Sequence, residues 1–265
     1  MILKGAIHVH STYSYDGKES LRALRDFLLE KGVTFCCVTE HADQMTVEQA
    51  QLFVQECKAL SGSQFVFIPG FEVPYKKAHI LLIGTEVFLA QKADAEILKT
   101  WSSKSVLTIL AHPVRNSFKL DAVMEEVIDG VEIWNQQYEG KRVPRTRSAS
   151  LLRKLQSRNS MLLAFGGLDF HRKEHFGSPL FTLEVERVSS DAILHALTDG
   201  KYVFGTEKIA VSSTGLWKGS GGAWHILLSL ISVFVIVAGK TVNALLALLG
   251  ISLPKGLKRA IRSRV

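Results

Sequence analysis

The stretch GAIHVHSTYSYDG, residues 5–17, holds an apolar strand signal and a candidate site together. Ala6, Ile7 and Val9 supply the apolar positions, His8 and His10 alternate with Val9, and Asp16 follows six residues after His10. In an extended chain residues i and i+2 point the same way. On this reading His8 and His10 face one side of a strand and can grip one ion. A lone H-x-H is a weak signal, so its meaning depends on the rest of the chain.

Outward from this strand, short apolar runs recur: TFCCVTEH, FVFIPGFEV, HILLIG, VLTILAHP, GVEIWN, MLLAFGGLD, LFTLEVE and KYVFGT. Amphipathic stretches lie between many of them. SLRALRDFLLEKG sets Leu21, Leu24 and Leu28 on one helical face and stops at Gly32. TVEQAQLFVQECKALSG opens on a capping signature, Thr46 with Gln49 three residues on. Alternating strands and helices predict an α/β fold with a mostly parallel sheet and helices outside it. Eight or nine strands predict a closed or nearly closed barrel.

Charge divides the chain of 265 residues. Residues 214–265 carry seven Lys/Arg and no Asp or Glu, which leaves 25 Lys/Arg against 25 Asp/Glu in residues 1–213. The body is neutral, so no basic footprint for a long nucleic acid covers it. Cys36, Cys37 and Cys57 have no zinc-knot or disulfide spacing and read as buried free thiols in a reducing compartment. The start, MILKGAIHVH, is too short and too soon polar for a signal peptide, so a cytoplasmic body is expected.

Metal-capable residues gather at the strand ends. His8 and His10 end the first strand, His41 the second and Glu72 the third. His79 lies in AHILLIG, His112 ends a strand in LAHP, and Asp169 and His171 follow another in GLDFH. In α/β barrels the loops at the strand C-termini converge on one axis, where sites assemble. Imidazole and carboxylate together suit Zn, Mn or Fe. One such strand end is easily incidental. Five separate strands ending in ligand types are not.

The order H-x-H, Asp, T-[DE]-H-x-D, G-x-E, A-H, A-H-P and G-x-D-x-H resembles the PHP (polymerase and histidinol phosphatase) superfamily over residues 4–205. The resemblance implies a distorted (β/α)7-type barrel with a trinuclear metal site at the strand C-termini. It implies a first ion held by His8, His10, Glu72 and Asp169. Glu72 would bridge to a second ion held also by His79 and His112, and Asp16, His41 and His171 would hold a third. The cofactors are thus two or three divalent ions, Mn, Zn or Fe. The chain departs from many relatives in having Glu40 for Asp beside the His41 ligand, and Asp16 where some members use His. The gap from His112 to Asp169 is too short for the lid inserted in some of them, which leaves an open site.

The resemblance also implies hydrolysis of a phosphate ester by a metal-bridging hydroxide. Arg115, Arg172 and Lys173 are the expected substrate contacts, and Glu132 or Asn135 the expected pocket lining. His41, Asp43 and metal-bound water are all open as proton donor to the leaving group. The neutral body favours a small phosphate monoester or nucleotide. The alternatives are a phosphodiesterase on short oligonucleotides and a metal-binding regulatory module without catalysis. His195, on an amphipathic helix, reads as structural.

After residue 213 the composition changes. Residues 214–225 read as a Gly/Ser linker with Trp217 and Trp224. Residues 226–239 are 14 uncharged residues, followed by Lys240, 13 more uncharged residues and five Lys/Arg among residues 255–265. A 14-residue helix spans about 21 Å, short of the roughly 30 Å hydrocarbon core. With the basic end and the body both expected at the cytoplasmic face, residues 226–265 read as a re-entrant hairpin or interfacial helical anchor touching membrane lipid. A partner-binding or oligomerising helix pair is the alternative, and the oligomeric state is left open.

Overall fold

The computed structural model describes residues 1–140 and 146–218. Its strands are β1 (Ile2–Val9), β2 (Phe35–His41), β3 (Val66–Tyr75), β4 (Ala78–Ile83), β5 (Leu107–Ala111), β6 (Gly130–Asn135), β7 (Leu163–Gly167), β8 (Leu180–Glu184), β9 (Tyr202–Gly205), β10 (Ala210–Ser212) and β11 (Trp217–Lys218). They form one sheet in the order β11-β10-β9-β8-β1-β2-β3-β4-β5-β6-β7. The helices are α1 (Leu21–Glu30), α2 (Val47–Leu60), α3 (Ala95–Ser102), α4 (Ala122–Val127), α5 (Gln136–Glu139), α6 (Thr146–Gln156) and α7 (Ser190–Thr198).

The sheet curls until its end returns to its first strand. β1 divides its free edge between two partners. Its first half pairs antiparallel with β8, from Ile2↔Glu184 to Gly5↔Phe181. Its second half meets the segment after β7: Leu168 N–H donates to Ile7 O at 3.0 Å, Phe170 N–H to His8 O at 3.2 Å, and His10 N–H to Phe170 O at 2.8 Å. These bonds close the ring β1–β7, and β8–β11 continue as an antiparallel flap.

The expected α/β fold is present as a curled sheet with helices, but the sheet is not mostly parallel. Among the described residues only β1–β2, β2–β3, β5–β6 and β6–β7 pair parallel; the other six ladders are antiparallel. A parallel crossover needs a dozen or more residues, whereas β3 and β4 are joined by Lys76 and Lys77 alone. That two-residue turn forces an antiparallel hairpin, with Lys76 in the left-handed region at φ 52°. Because β4 runs backwards, its N-terminal end lies beside the C-terminal end of β3, with His79 opposite Pro74. His79 therefore reaches the site face from the start of a strand, a correction to the expectation that the site uses strand C-termini.

Local signals are realised where the sequence spells them out. Leu21, Leu24 and Leu28 of α1 are fully buried, and Ser20 accepts the Ala23 N–H at 3.3 Å. Thr46 and Gln49 form a reciprocal capping box on α2. Phe53, Phe71, Phe88 and Trp101 pack at ring separations of 5.4–5.8 Å between α2, β3 and α3. His195 of α7 is largely exposed and 3.1 Å from Asp199.

The body extends further than residue 213. Trp217 and Lys218 pair with Val211 and Ala210, and the Trp217 ring packs against the core. The start of the expected linker, and Trp217 within it, thus belong to the sheet. Among the described residues no helix is long and apolar enough to cross a membrane. Residues 226–265, where the sequence places the hydrophobic tail, lie outside the described residues.

Cys36, Cys37 and Cys57 are completely buried, and burial raises the pKa of each thiol. Thiolate is the reactive form. Ellman's reagent is expected to find no reactive thiol in the folded chain and three after unfolding in guanidinium. A native thiol that reacts within minutes would contradict this packing.

Candidate metal centre

Three candidate ligands sit where an ordinary strand would not place them. His8, His112 and Asp169 have φ of 62°, 22° and 50°, in the left-handed region that L-residues rarely enter. At His8 the β1–β2 register jumps, with Ile7 opposite Cys37 and Val9 opposite Val38, so His8 is the extra residue of a β-bulge. The simple i, i+2 alternation expected for His8 and His10 is therefore broken. Both rings still converge on Glu72, 5.2 Å apart and fully buried, because the bulge re-aims His8 and the closing bonds to Phe170 fix His10. Strained backbone of this kind costs about 1–3 kcal/mol per residue and persists where the surroundings over-determine it.

The Glu72 carboxylate lies at the centre, 1% exposed. Its Oε2 is 3.3 Å from His8 Nε2, 3.4 Å from His10 Nε2 and 3.1 Å from His41 Nδ1. Its Oε1 is 2.5 Å from His79 Nδ1 and 2.9 Å from His112 Nε2. Asp169 Oδ1 is 3.6 Å from His8 Nε2, 3.8 Å from His10 Nε2 and 3.6 Å from His171 Nδ1. Asp16 Oδ2 is 3.2 Å from His171 Nε2 and 3.6 Å from His41 Nε2. Burial works to raise the Glu72 pKa, but His8 and the neighbouring imidazoles of His112, His41 and His79 hold it well below the usual carboxylate range.

This donor set fits divalent ions. His8 Nε2, His10 Nε2, Glu72 Oε2, His112 Nδ1 and Asp16 Oδ1 are buried and make no hydrogen bond. An unsatisfied buried polar group costs about 1–3 kcal/mol, so five in one cluster indicate a site built for a ligand. Two donors each about 2.1 Å from a shared ion stand about 3.0–3.4 Å apart at octahedral or tetrahedral angles. The Glu72 contacts to His8 and His10 match that spacing. Donor atoms converge in four sets: His8, His10 and Glu72; Glu72, His79 and His112; His8, His112 and Asp169; and His10, His41 and His171. All nine sequence-predicted ligands thus meet in one cluster, with Asp16 joining through His41 and His171.

Behind the ligands stand buried carboxylates. Glu132, completely buried, lies 2.9 Å from His8 Nδ1 and accepts the His112 N–H at 2.6 Å and Asn135 Nδ2–H at 2.9 Å. A carboxylate that takes the Nδ1 proton leaves Nε2 free to bind a metal. Burial would raise the Glu132 pKa, and His8 beside it lowers it below the usual value. Gly167 makes this approach possible, since a Cβ there would lie 1.6 Å from Glu132 Oε1 and 3.0 Å from His8 Cβ. Glu40 accepts the Ser11 N–H at 2.9 Å and the Ser11 and Ser14 hydroxyls at 2.5 Å each. Its pKa is raised by burial, and these hydrogen bonds oppose the shift.

Above the cluster opens a cavity of about 520 Å3. Arg115 and Arg172 line it as expected; Arg115 Nη1 lies 3.3 Å from His79 Nδ1, and Arg172 Nε donates to His175 Nε2 at 3.0 Å. Four expected residues do not line it. Asp43 is exposed, because the chain turns away once Ala42 has bonded back to Glu72 O. Lys173 points to Glu19, 3.6 Å away, and to the Phe27 ring. Neither Glu132 nor Asn135 lines the cavity; they support the ligands from behind. Lys18, Tyr15, Gln137, Tyr138 and His175 line it without having been singled out in the sequence. Tyr15 stacks on His41 at 5.0 Å and Tyr138 leans on His112 at 4.7 Å. Their strand-end loops were the available signal, too short to separate wall from surface.

The model of the PHP domain family matches residues 6–204. Among solved structures, the fold resembles a two-domain Bacteroides vulgatus protein containing a predicted PHP-like metal-dependent phosphoesterase. That match has a TM-score of 0.61 and 16% identity, over 80% of this chain and 67% of the other. PsfC from Pseudomonas syringae matches at TM-score 0.53 and 12% identity, over 87% of this chain and 97% of the other. The lesion-specific endonuclease PfuEndoQ from Pyrococcus furiosus matches at 0.51 and 16%, over 80% and 59%. No curated protein matches the chain by sequence.

Gly167→Ala forces a methyl group against Glu132 and the back of His8. Overpacking of this kind costs about 1–3 kcal/mol, and displacing a group behind a ligand costs about 10–100-fold in metal affinity. Thermal melting and elemental analysis of the variant are expected to show both losses. Full metal content at unchanged melting temperature would refute this role for Gly167.

Proposed function

The chain belongs to the PHP domain family, and from that premise we propose that it is a metal-dependent hydrolase of a small phosphate monoester or nucleotide. The observation that carries this reading is a nine-residue imidazole and carboxylate cluster at the floor of an open cavity walled by Lys18, Arg115 and Arg172. His8, His10, Glu72 and Asp169 would hold one ion, Glu72, His79 and His112 a second, and Asp16, His41 and His171 a third. When bound, such ions polarise phosphoryl oxygens and make water nucleophilic at neutral pH.

The chain's own residues supply the rest. Arg115, beside His79, is placed to bind a non-bridging phosphate oxygen next to the second ligand set. Arg172 and Lys18 extend the same positive wall and favour a dianionic phosphate over a neutral ester. Such fixed charges stabilise the charge that develops in phosphoryl transfer. Tyr15 and Tyr138 flank the entrance and bound the space left for the leaving group. Asp43 is exposed and stands away from the cavity, which leaves His41 and water as the proton donors to the leaving oxygen.

Phosphate release from a panel of monoesters and nucleotides, and chain shortening of short single-stranded oligonucleotides, with Mn, Zn or Fe(II) added, test this reading. Monoester turnover is expected. Glu72→Gln and His10→Ala are expected to lower kcat by at least about 100-fold, beyond the roughly 10–100-fold cost of losing a group behind a ligand. Turnover of oligonucleotides alone would replace the monoester reading with a phosphodiesterase. No turnover of any ester by the metal-loaded protein would leave a binding module.

The composition of residues 226–265 supports a second proposal: this segment attaches the catalytic body to anionic lipid at the cytoplasmic face of a membrane. Chains with and without residues 219–265 are expected to part on fractionation, the full chain with membranes and the shortened one in the supernatant. Equal partitioning would refute the anchor.

A further inference from the structure

His10 has no carboxylate directly behind it, unlike His8. Its Nδ1 lies 3.2 Å from the Ser14 hydroxyl. The same oxygen accepts the His41 backbone N–H at 2.9 Å and stands 2.5 Å from Glu40 Oε2. Ser14 has one hydroxyl proton to give. The His41 amide can only donate, so that contact uses a lone pair of Ser14. Glu40 is completely buried and draws in the Ser11 N–H and the Ser11 hydroxyl as well. With the Ser14 proton on Glu40, the contact to His10 requires a proton on Nδ1. A neutral imidazole protonated at Nδ1 carries its lone pair at Nε2. His10 Nε2 is the buried atom that makes no hydrogen bond and lies 3.4 Å from Glu72 Oε2.

The ring cannot easily turn away. It is stacked between His41 and His171 at centroid separations of 4.3 and 4.4 Å, with interplanar angles of 23° and 20°. The loop that supplies Ser14 is held in turn by the Ser14 N–H bond to Ser11 O at 3.0 Å.

We propose that Ser14 and Glu40 are a positioning pair that fixes His10 as the Nδ1–H tautomer and presents its Nε2 lone pair to the ion. The inference rests on the metal-centre reading, and it assigns a task to Glu40, the residue where this chain departs from the usual Asp.

Long-range 1H–15N correlation spectra of the metal-free full chain report the imidazole tautomer, and calorimetric titration with Zn reports affinity. Wild type is expected to show His10 protonated at Nδ1. Ser14→Ala and Glu40→Gln are expected to lose that single tautomer and to weaken Zn binding by about 10–100-fold. A wild-type His10 protonated at Nε2 would overturn the proposal without any variant. So would Ser14→Ala with the wild-type tautomer and a Zn affinity within twofold of wild type. If wild type binds no ion at all, the metal-centre reading fails, while the His10 tautomer still decides the Ser14–Glu40 pair.

Discussion

Everything in the site is arranged around the burial of one carboxylate. Glu72 is 1% exposed, and taking such a charge out of water costs several kcal/mol unless it is paired. Five imidazoles from β1, β2, β4 and the end of β5 converge on its two oxygens. They have to arrive from four different strands, so the charge can be compensated only if the sheet curls. The bulge at His8, the hairpin that reverses β4 and the ring closure at Phe170 all serve that convergence.

The cluster is also layered. Glu72, Asp16 and Asp169 face inward with the imidazoles, while Glu132 and Glu40 lie behind and take hydrogen bonds from the backs of the ligands or their loops. The inner layer supplies donor atoms and the outer one fixes which ring nitrogen offers its lone pair. Gly167 belongs to the outer layer, since its missing side chain is what lets Glu132 reach His8.

The ligand residues were legible in the sequence because they recur at strand ends, and five recurrences outweigh any single motif. The start of α2 was legible for a local reason, since Thr46 caps through a contact three residues away. Strand direction was not read correctly, although the two-residue KK connection before Ala78 carried the signal. The left-handed backbone at His8, His112 and Asp169 leaves no mark in residue type, because glycine, the usual flag, is absent there. Asp43 looked useful through its nearness to His41 in sequence, but the turn after Ala42 takes it outward. Lys18 and Tyr138 reach the cavity through loops, where composition says little about direction.

The divided edge of β1 has a consequence for how the chain is made. Its first half waits for residues 181–184 and its second for residues 168–170. The first and last candidate ligands, His8 and His171, are 163 positions apart. Contacts this distant in sequence form late and slowly. During synthesis β1 therefore keeps one long edge unpaired until residues 168–184 have been made. The nine candidate ligands gather only when that edge is sealed, so ions held across the full set would mark a chain that has finished folding.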